Sequence, residues 1–318
     1  MTNAPRPGKQ ARKPRRSRSA ATPAPSSAGD SPQETHPPKS WRDDDDTHPP
    51  TSFSKVATGT PSSFLTNPSP MPVPVFKDRP KFLKTFFNYY GGKWRIAPRY
   101  PAPVYDTIVE PFAGAAGYSM RHYEKNVVLN DLDPVIVGVW RYLIAAEPED
   151  IMRLPVIGEF DHVDQIDAPQ GARDLIGFCV NAGASAPRKV PSKWARSRPS
   201  GMEFWSVSRR ARVAAQVPYI KHWVVKHGAY GHLDTGLEAT WFVDPPYQGD
   251  AGSQYRHGSG GIDFENLQDF VLSLKGQVIA CEGAQSKWLR FRHFHDAKAT
   301  TKGVARVSRE FIWTNSDG

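Results

Sequence analysis

Asp106-Thr-Ile-Val-Glu110-Pro111-Phe-Ala-Gly114-Ala-Ala-Gly117 is the stretch on which the fold turns. Asp106 to Glu110 is a short run with β-branched residues and reads as a strand. Pro111 to Gly117 then reads as a tight glycine turn, and Ala115 to Tyr123 as a helix. The second unit repeats this pattern. Lys125 to Leu129 predicts a strand, closed by Asn130-Asp131-Leu132-Asp133-Pro134, and Val135 to Ala146 has helical apolar spacing. Asp131 therefore lies about twenty positions past the turn, where a carboxylate ending the second strand can bind ribose hydroxyls. It could instead cap the next helix, although Asp133, directly before Pro134, is the better cap. The turn lacks the Lys-Ser/Thr ending of a phosphate loop and Phe112 can flank a planar ring, which favours an adenosyl group. A turn that only packs a helix on a sheet fits the same glycines.

Farther along, the apolar run Ala239-Thr-Trp-Phe-Val243 leads into Asp244-Pro245-Pro246-Tyr247. Here a strand delivers an acid at its carboxyl end, two prolines fix the backbone that follows, and an aromatic ring is placed to stack on a planar substrate. That suits the amine of a purine or pyrimidine; a strand-ending turn with Asp as a cap is the plainer reading. Gln277 to Ala280 is another buried strand, joined to the first by a helix from Phe264 to Lys275, and Arg306 to Thr314 alternates like a late edge strand or hairpin. Strands alternating with helices predict an α/β fold, a mostly parallel sheet with helices on both faces. Upstream, Asn88-Tyr89-Tyr90-Gly91-Gly92-Lys93-Trp94-Arg95 sets two glycines beside a cation that could pair with a carboxylate, or else forms a surface turn. Gln248 to Ile262, rich in Gly and Ser and containing Tyr255, Arg256 and His257, reads as a loop that closes over a substrate or as a plain mobile loop.

Composition sets the limits. The chain has 318 residues, 30 of them Pro, and only 39% are hydrophobic. Residues 1–75 are dominated by Pro, Ser, Thr, Ala and charge, with a basic cluster from Lys13 to Arg18 and an acidic run from Asp43 to Asp46. Such a stretch buries too little apolar surface to offset its ordering entropy and reads as a disordered tail. The formal charge of +9 favours a polyanionic partner. Two cysteines, Cys179 and Cys281, imply neither a disulfide framework nor a structural metal. No apolar run nears the roughly 18 to 20 residues of a membrane span, so a cytoplasmic protein is expected.

The remaining stretch, 151–232, breaks the strand–helix rhythm and is expected to be an inserted subdomain between two halves of one α/β domain, 80–150 and 233–318. Within it Arg188, Lys189, Lys193, Arg196, Arg198, Arg209, Arg210 and Arg212 are interleaved with Trp194, Phe204 and Trp205. Cations for phosphates mixed with aromatics fit a nucleic-acid-recognition region, and a solvated charged face fits the same residues.

Taken together, YYGGKWR at 89–95, VEPFAGAAG at 109–117, NDLDP at 130–134 and DPPY at 244–247 resemble the Dam-like (D12 class) DNA adenine-N6 methyltransferases, in particular their phage and prophage branch. The resemblance runs from about Phe82 to Asn315. It implies a Rossmann-like S-adenosylmethionine-dependent methyltransferase sheet carrying an inserted target-recognition region. It implies S-adenosylmethionine as cofactor, double-stranded DNA as substrate, no metal, and a possible cognate restriction endonuclease. By the same resemblance Tyr89, Gly91, Gly92, Lys93, Glu110, Pro111, Phe112, Gly114, Asp131 and Asp244 would bind the cofactor. Asp244, Pro245, Pro246 and Tyr247 would form the catalytic pocket, with the cations of the insert and Tyr255 on DNA. Cytosine-N4 or RNA adenine methylation, or an inert DNA-binding protein on the same scaffold, are the alternatives. The chain departs from the pattern at Ala280-Cys281-Glu282-Gly283, where many relatives carry Ser-Asn, so Glu282 inherits no role.

Overall fold

The computed structural model describes residues 78–158, 161–181, 183–196, 204–250, 252–301 and 304–316; the predicted tail and Arg198 lie outside them. The elements run β1 (Thr107–Glu110), β2 (Asn126–Asp131), α1 (Pro134–Ala145), α2 (Pro148–Arg153), α3 (Gln170–Cys179), α4 (Lys193–Arg196), α5 (Val207–Gln216), β3 (Val224–His227), β4 (Ala239–Val243), α6 (Phe264–Ser273), β5 (Gly276–Glu282), β6 (Arg292–Thr301) and β7 (Val304–Thr314), with short 3-10 turns between them. The strands form one mixed sheet in the order β3-β2-β1-β4-β5-β7-β6. The first five are parallel, and β7 runs antiparallel to both of its neighbours.

Alternation along the strands explains why both faces are covered. Ile108, Leu129, Phe242 and Ile279 join a core with Ile136, Val139 and Trp140 of α1 and with residues of α3 and α5. Val109, Trp241, Val243 and Val278 face the other way, onto Leu267, Phe270 and Val271 of α6. Two acids start the helices that follow the strands. Asp133 Oδ1 accepts the Val135 N–H at 2.9 Å with Pro134 in the first turn, and Asp263 accepts the N–H groups of Glu265 and Asn266.

Three expectations are corrected. No helix spans Ala115 to Tyr123: Gly114 and Ala116 both take left-handed φ, 44° and 49°, and Glu110 captures the Ser119 N–H, leaving one 3-10 turn at Ser119–Arg121. Nor does 151–232 stand apart as a subdomain. Leu175, Phe178 and Val213 lie in the same core as α1, and β3 is an edge strand of the main sheet, so the boundary at 232 dissolves. Finally, of the edge strand and the hairpin expected at 306–314 the hairpin holds and the edge strand does not: β6 pairs antiparallel along β7 and takes the edge, leaving β7 interior to the sheet. Both cysteines are buried and free. No helix among the described residues is long and apolar enough to cross a membrane.

Candidate active site

In a sheet of this order the chain leaves β1 towards β2 on one side and returns through β4 on the other, which opens a crevice at the carboxyl ends of the strands. Acids stand along that edge: Glu110 ends β1, Asp131 ends β2, Asp244 follows β4 and Glu282 ends β5. Tyr89, Gly91, Gly92, Lys93, Glu110, Pro111, Phe112, Gly114, Asp131 and Asp244, assigned together from sequence, all line one cleft there. Pro246 lines it as well, while Pro245 is buried behind it.

Lys93 is the hub. Its Nζ lies 2.9 Å from Asp244 Oδ2, donates to the Gly91 carbonyl at 2.9 Å, and sits 4.8 Å from the centre of the Tyr247 ring. Burial opposes its charge, but Asp244 and then Glu310 outweigh burial and hold its pKa above the ordinary lysine value. Burial pushes the Asp244 carboxyl up, against the pull of Lys93. Its second oxygen, Oδ1, is buried and accepts no hydrogen bond among the described residues. A buried carboxylate oxygen without a donor is costly unless a bound group supplies one.

Around this pair the backbone is cut close. Gly91 (φ 71°) lies under Tyr255, whose hydroxyl donates to the Tyr90 carbonyl at 3.3 Å; a Cβ at Gly91 would come within 2.0 Å of that oxygen. Gly114 N–H donates to Asp131 Oδ2 and Asp133 N–H to Oδ1, each at 2.9 Å, so Asp131 ties the glycine turn to the start of α1. Each of its oxygens keeps a lone pair for a further donor. Burial raises its pKa to about 6, opposed by those two backbone bonds. Phe112 lies 5.3 Å from Tyr230, and Tyr230 and His257 also line the cleft. Glu110, 2% exposed, is raised by burial to about 8.

Two acids that carried no sequence assignment hold the tetrapeptide in place. Glu310 on β7 accepts the Tyr247 hydroxyl at 2.5 Å. Glu282, fully buried, accepts the Gln248 N–H at 2.5 Å and the Gly283 N–H at 3.3 Å, clamping the chain just after the tyrosine; burial raises its pKa to about 7. Glu310 could have been found from its phase: it shares a strand face with Ile312 and Thr314, both buried.

The expected DNA-contacting set divides. Arg209 and Arg210 are buried, bonded respectively to the Phe86 carbonyl and Asn88 Oδ1 and to the Leu154 carbonyl; Arg212 bonds the Thr85 carbonyl. They brace the segment 84–88 and the end of α2, which removes them from the phosphate-contacting set. Phe204 and Trp205 are core residues. Lys189 pairs with Asp164 and Arg196 bonds the Pro191 carbonyl, while Arg188 and Lys193 are exposed. Tyr255 belongs to the cleft rather than to an outer face, packed on Tyr89 and Tyr90, with Arg256 3.6 Å from Asp133.

The fold and site together define an α/β protein with a cleft at the switch point of its sheet. No family profile matches the chain, and no curated protein does. Among solved structures it is similar to a conserved hypothetical protein from Streptococcus pyogenes, 9% identical, over 70% of this chain and 91% of that one, with a TM-score of 0.28.

Proposed function

We propose that the protein is an S-adenosylmethionine-dependent DNA methyltransferase acting on N6 of adenine. The observation that carries the reading is the Asp244 carboxylate just after β4, with Oδ1 buried and without a donor among the described residues, in the same cleft as the glycine turn and Asp131. The sheet order, with its antiparallel seventh strand, is compatible with the methyltransferase sheet that the sequence resemblance implies.

The residues present fit the cofactor. Gly91 and Gly114 bring backbone to the cleft without side chains, Phe112 and Tyr230 offer aromatic surface for an adenine ring, and Asp131 retains acceptor capacity for ribose hydroxyls. When bound, the cofactor supplies an electrophilic methyl group on a sulfonium.

Adenine N6 is a weak nucleophile because its lone pair is delocalised into the ring. Asp244 Oδ1, together with the Pro245 carbonyl in this reading, accepts hydrogen bonds from the amine and draws the nitrogen towards a tetrahedral form that can attack in line. The work is positioning and electrostatics, with no covalent enzyme intermediate. Tyr247, fixed through its hydroxyl by Glu310, offers its ring to the base, which must leave the duplex to reach the site.

The test is transfer of labelled methyl from S-adenosylmethionine to unmethylated duplex DNA, followed by digestion to nucleosides. N6-methyladenine from the parent and none from Asp244→Ala is the expected result. N4-methylcytosine, or no transfer to any nucleic acid despite cofactor binding, refutes it.

A further inference from the structure

We propose that Tyr255 and His257 bind the cofactor, as the inner face of a strap, residues 252–262, that closes the cleft over S-adenosylmethionine. This role presupposes the cofactor reading above and moves Tyr255 from the DNA-contacting set to the cofactor site.

The strap leaves and rejoins the chain beside the tetrapeptide. Gly252 presses on the Tyr247 carbonyl, where a Cβ would have no room, and Ser259 Oγ donates to the Gly249 carbonyl at 3.2 Å. Compact surface loops with their ends together frequently carry function. From that root the strap crosses the cleft. Tyr255 packs on Tyr89 and Tyr90, with ring centres 5.9 and 5.3 Å away, and its hydroxyl stands over Gly91. This is the end at which Lys93 and Asp244 pair, and the tyrosine interacts electrostatically with both. At the other end Arg256 lies 3.6 Å from Asp133, and His257 acts on Asp131. The two ends lie apart because β1 separates β2 from β4, which sets Asp131 and Asp244 roughly 10 Å from each other, two strand spacings.

What lies beneath is the cofactor side of the site. Tyr255, His257 and Ile262 line the same cleft as Gly91, Gly114 and Asp131, whereas Tyr247, whose ring is offered to the base, does not line it. The hold on the strap is light. Away from the root it is tied by the Tyr255 hydroxyl to the Tyr90 carbonyl at 3.3 Å and by Ser185 Oγ to the Gln254 carbonyl at 2.6 Å. Ser253, Gln254, Arg256, His257 and Gly260 are exposed, and a segment with few buried contacts opens locally at low free energy. A ligand between the strap and the glycine turn touches both, holds the strap shut, and leaves only when it opens.

The experiment uses the full chain and S-adenosylhomocysteine. Trypsin cleavage after Arg256, whose side chain is 53% exposed, is followed by mass spectrometry with and without saturating ligand. Release is followed by chasing the tritiated ligand with unlabelled ligand, and affinity by calorimetry. The ligand should slow cleavage after Arg256. Tyr255→Ala should release it about tenfold faster, and His257→Ala should bind it about fivefold more weakly. Ser185→Ala, which unties the strap from a residue outside the cleft, should release it about threefold faster, as expected for one hydrogen bond. Melting temperatures of the ligand-free variants should match the parent. Ligand binding with no protection at Arg256, or with parent-like release and affinity in the variants, overturns the strap while leaving the cofactor reading intact. A parent that binds neither S-adenosylhomocysteine nor S-adenosylmethionine overturns both.

Discussion

Replacing Glu110 by Gln isolates a deeply buried acid of the cleft, the last residue of β1. The carboxyl is 2% exposed and accepts the Ser119 N–H at 2.8 Å. Burial moves its pKa from 4.5 to about 8, with the bonds to Ser119 opposing the shift. Since the folded value lies above the unfolded one, the folded chain keeps a proton that the unfolded chain releases. The stability contribution is therefore intact below about pH 4.5, declines as pH rises, and is lost above about pH 8. At about 1.4 kcal/mol per unit over roughly 3.5 units, the loss is on the order of 5 kcal/mol. Glutamine retains an oxygen for Ser119 and carries no charge. Urea unfolding followed by tryptophan fluorescence, from about pH 5 to pH 9, should give similar stabilities at the acid end. At the alkaline end the variant should exceed the parent by several kcal/mol. Part of the pH dependence will remain in the variant, because Asp131 and Glu282 titrate near 6 and 7 in the folded chain. Parallel stability curves for parent and variant would refute the reasoning, since they would mean that Glu110 is as ionised in the folded chain as in the unfolded one.

Gly91→Ala should lower stability by about 1–2 kcal/mol through its left-handed φ alone. It should also weaken S-adenosylhomocysteine binding measured by calorimetry, because the new Cβ meets the Tyr255 hydroxyl; adding Tyr255→Phe should restore only part of the loss. Arg209→Met should destabilise the fold by about 1–3 kcal/mol, by leaving the buried Phe86 carbonyl and Asn88 Oδ1 without this donor. The salt slope of DNA binding should not change in that variant, whereas a drop of about 0.9 would restore Arg209 to the phosphate-contacting set.

What could be read from the sequence was local. A strand announces its own end, and in a parallel sheet the carboxyl ends share one edge, so Glu110, Asp131 and Asp244 could be gathered from three separate motifs. Asp133 as the cap of α1 was legible for the same reason. The failures were non-local. Nothing in Ala115-Ala116 signals the left-handed turn, whose Gly114 N–H is bonded by Asp131 and which is followed by the Ser119 N–H that Glu110 captures. Charge spacing cannot show that Arg209 and Arg210 reach carbonyls on other segments. β3 is a four-residue edge strand with mostly exposed side chains, so it shows neither alternation nor a continuous apolar run. Glu310 is 63 positions from the tyrosine it holds, and only the pairing of β7 with β5 brings the two together.

That pairing has an electrostatic consequence. Glu110, Asp244, Glu282 and Glu310 all interact with the cation Lys93, or with one another through Asp244. Burial raises Glu110 to about 8 and Glu282 to about 7, and the charge of Asp244 adds to the rise while Lys93 opposes it. An incoming sulfonium adds a second positive charge to the cleft, and a nearby cation favours the ionised form of an acid. Binding of S-adenosylmethionine near pH 7 should therefore release protons, and its affinity should strengthen as pH rises from about 6 to about 8. S-adenosylhomocysteine has the same shape without the sulfonium charge and should release fewer. Calorimetry in buffers of different ionisation enthalpy counts those protons directly, and Glu110→Gln should reduce the count for the charged ligand. Equal proton release by the two ligands would show that the acids of the cleft do not respond to the sulfonium charge.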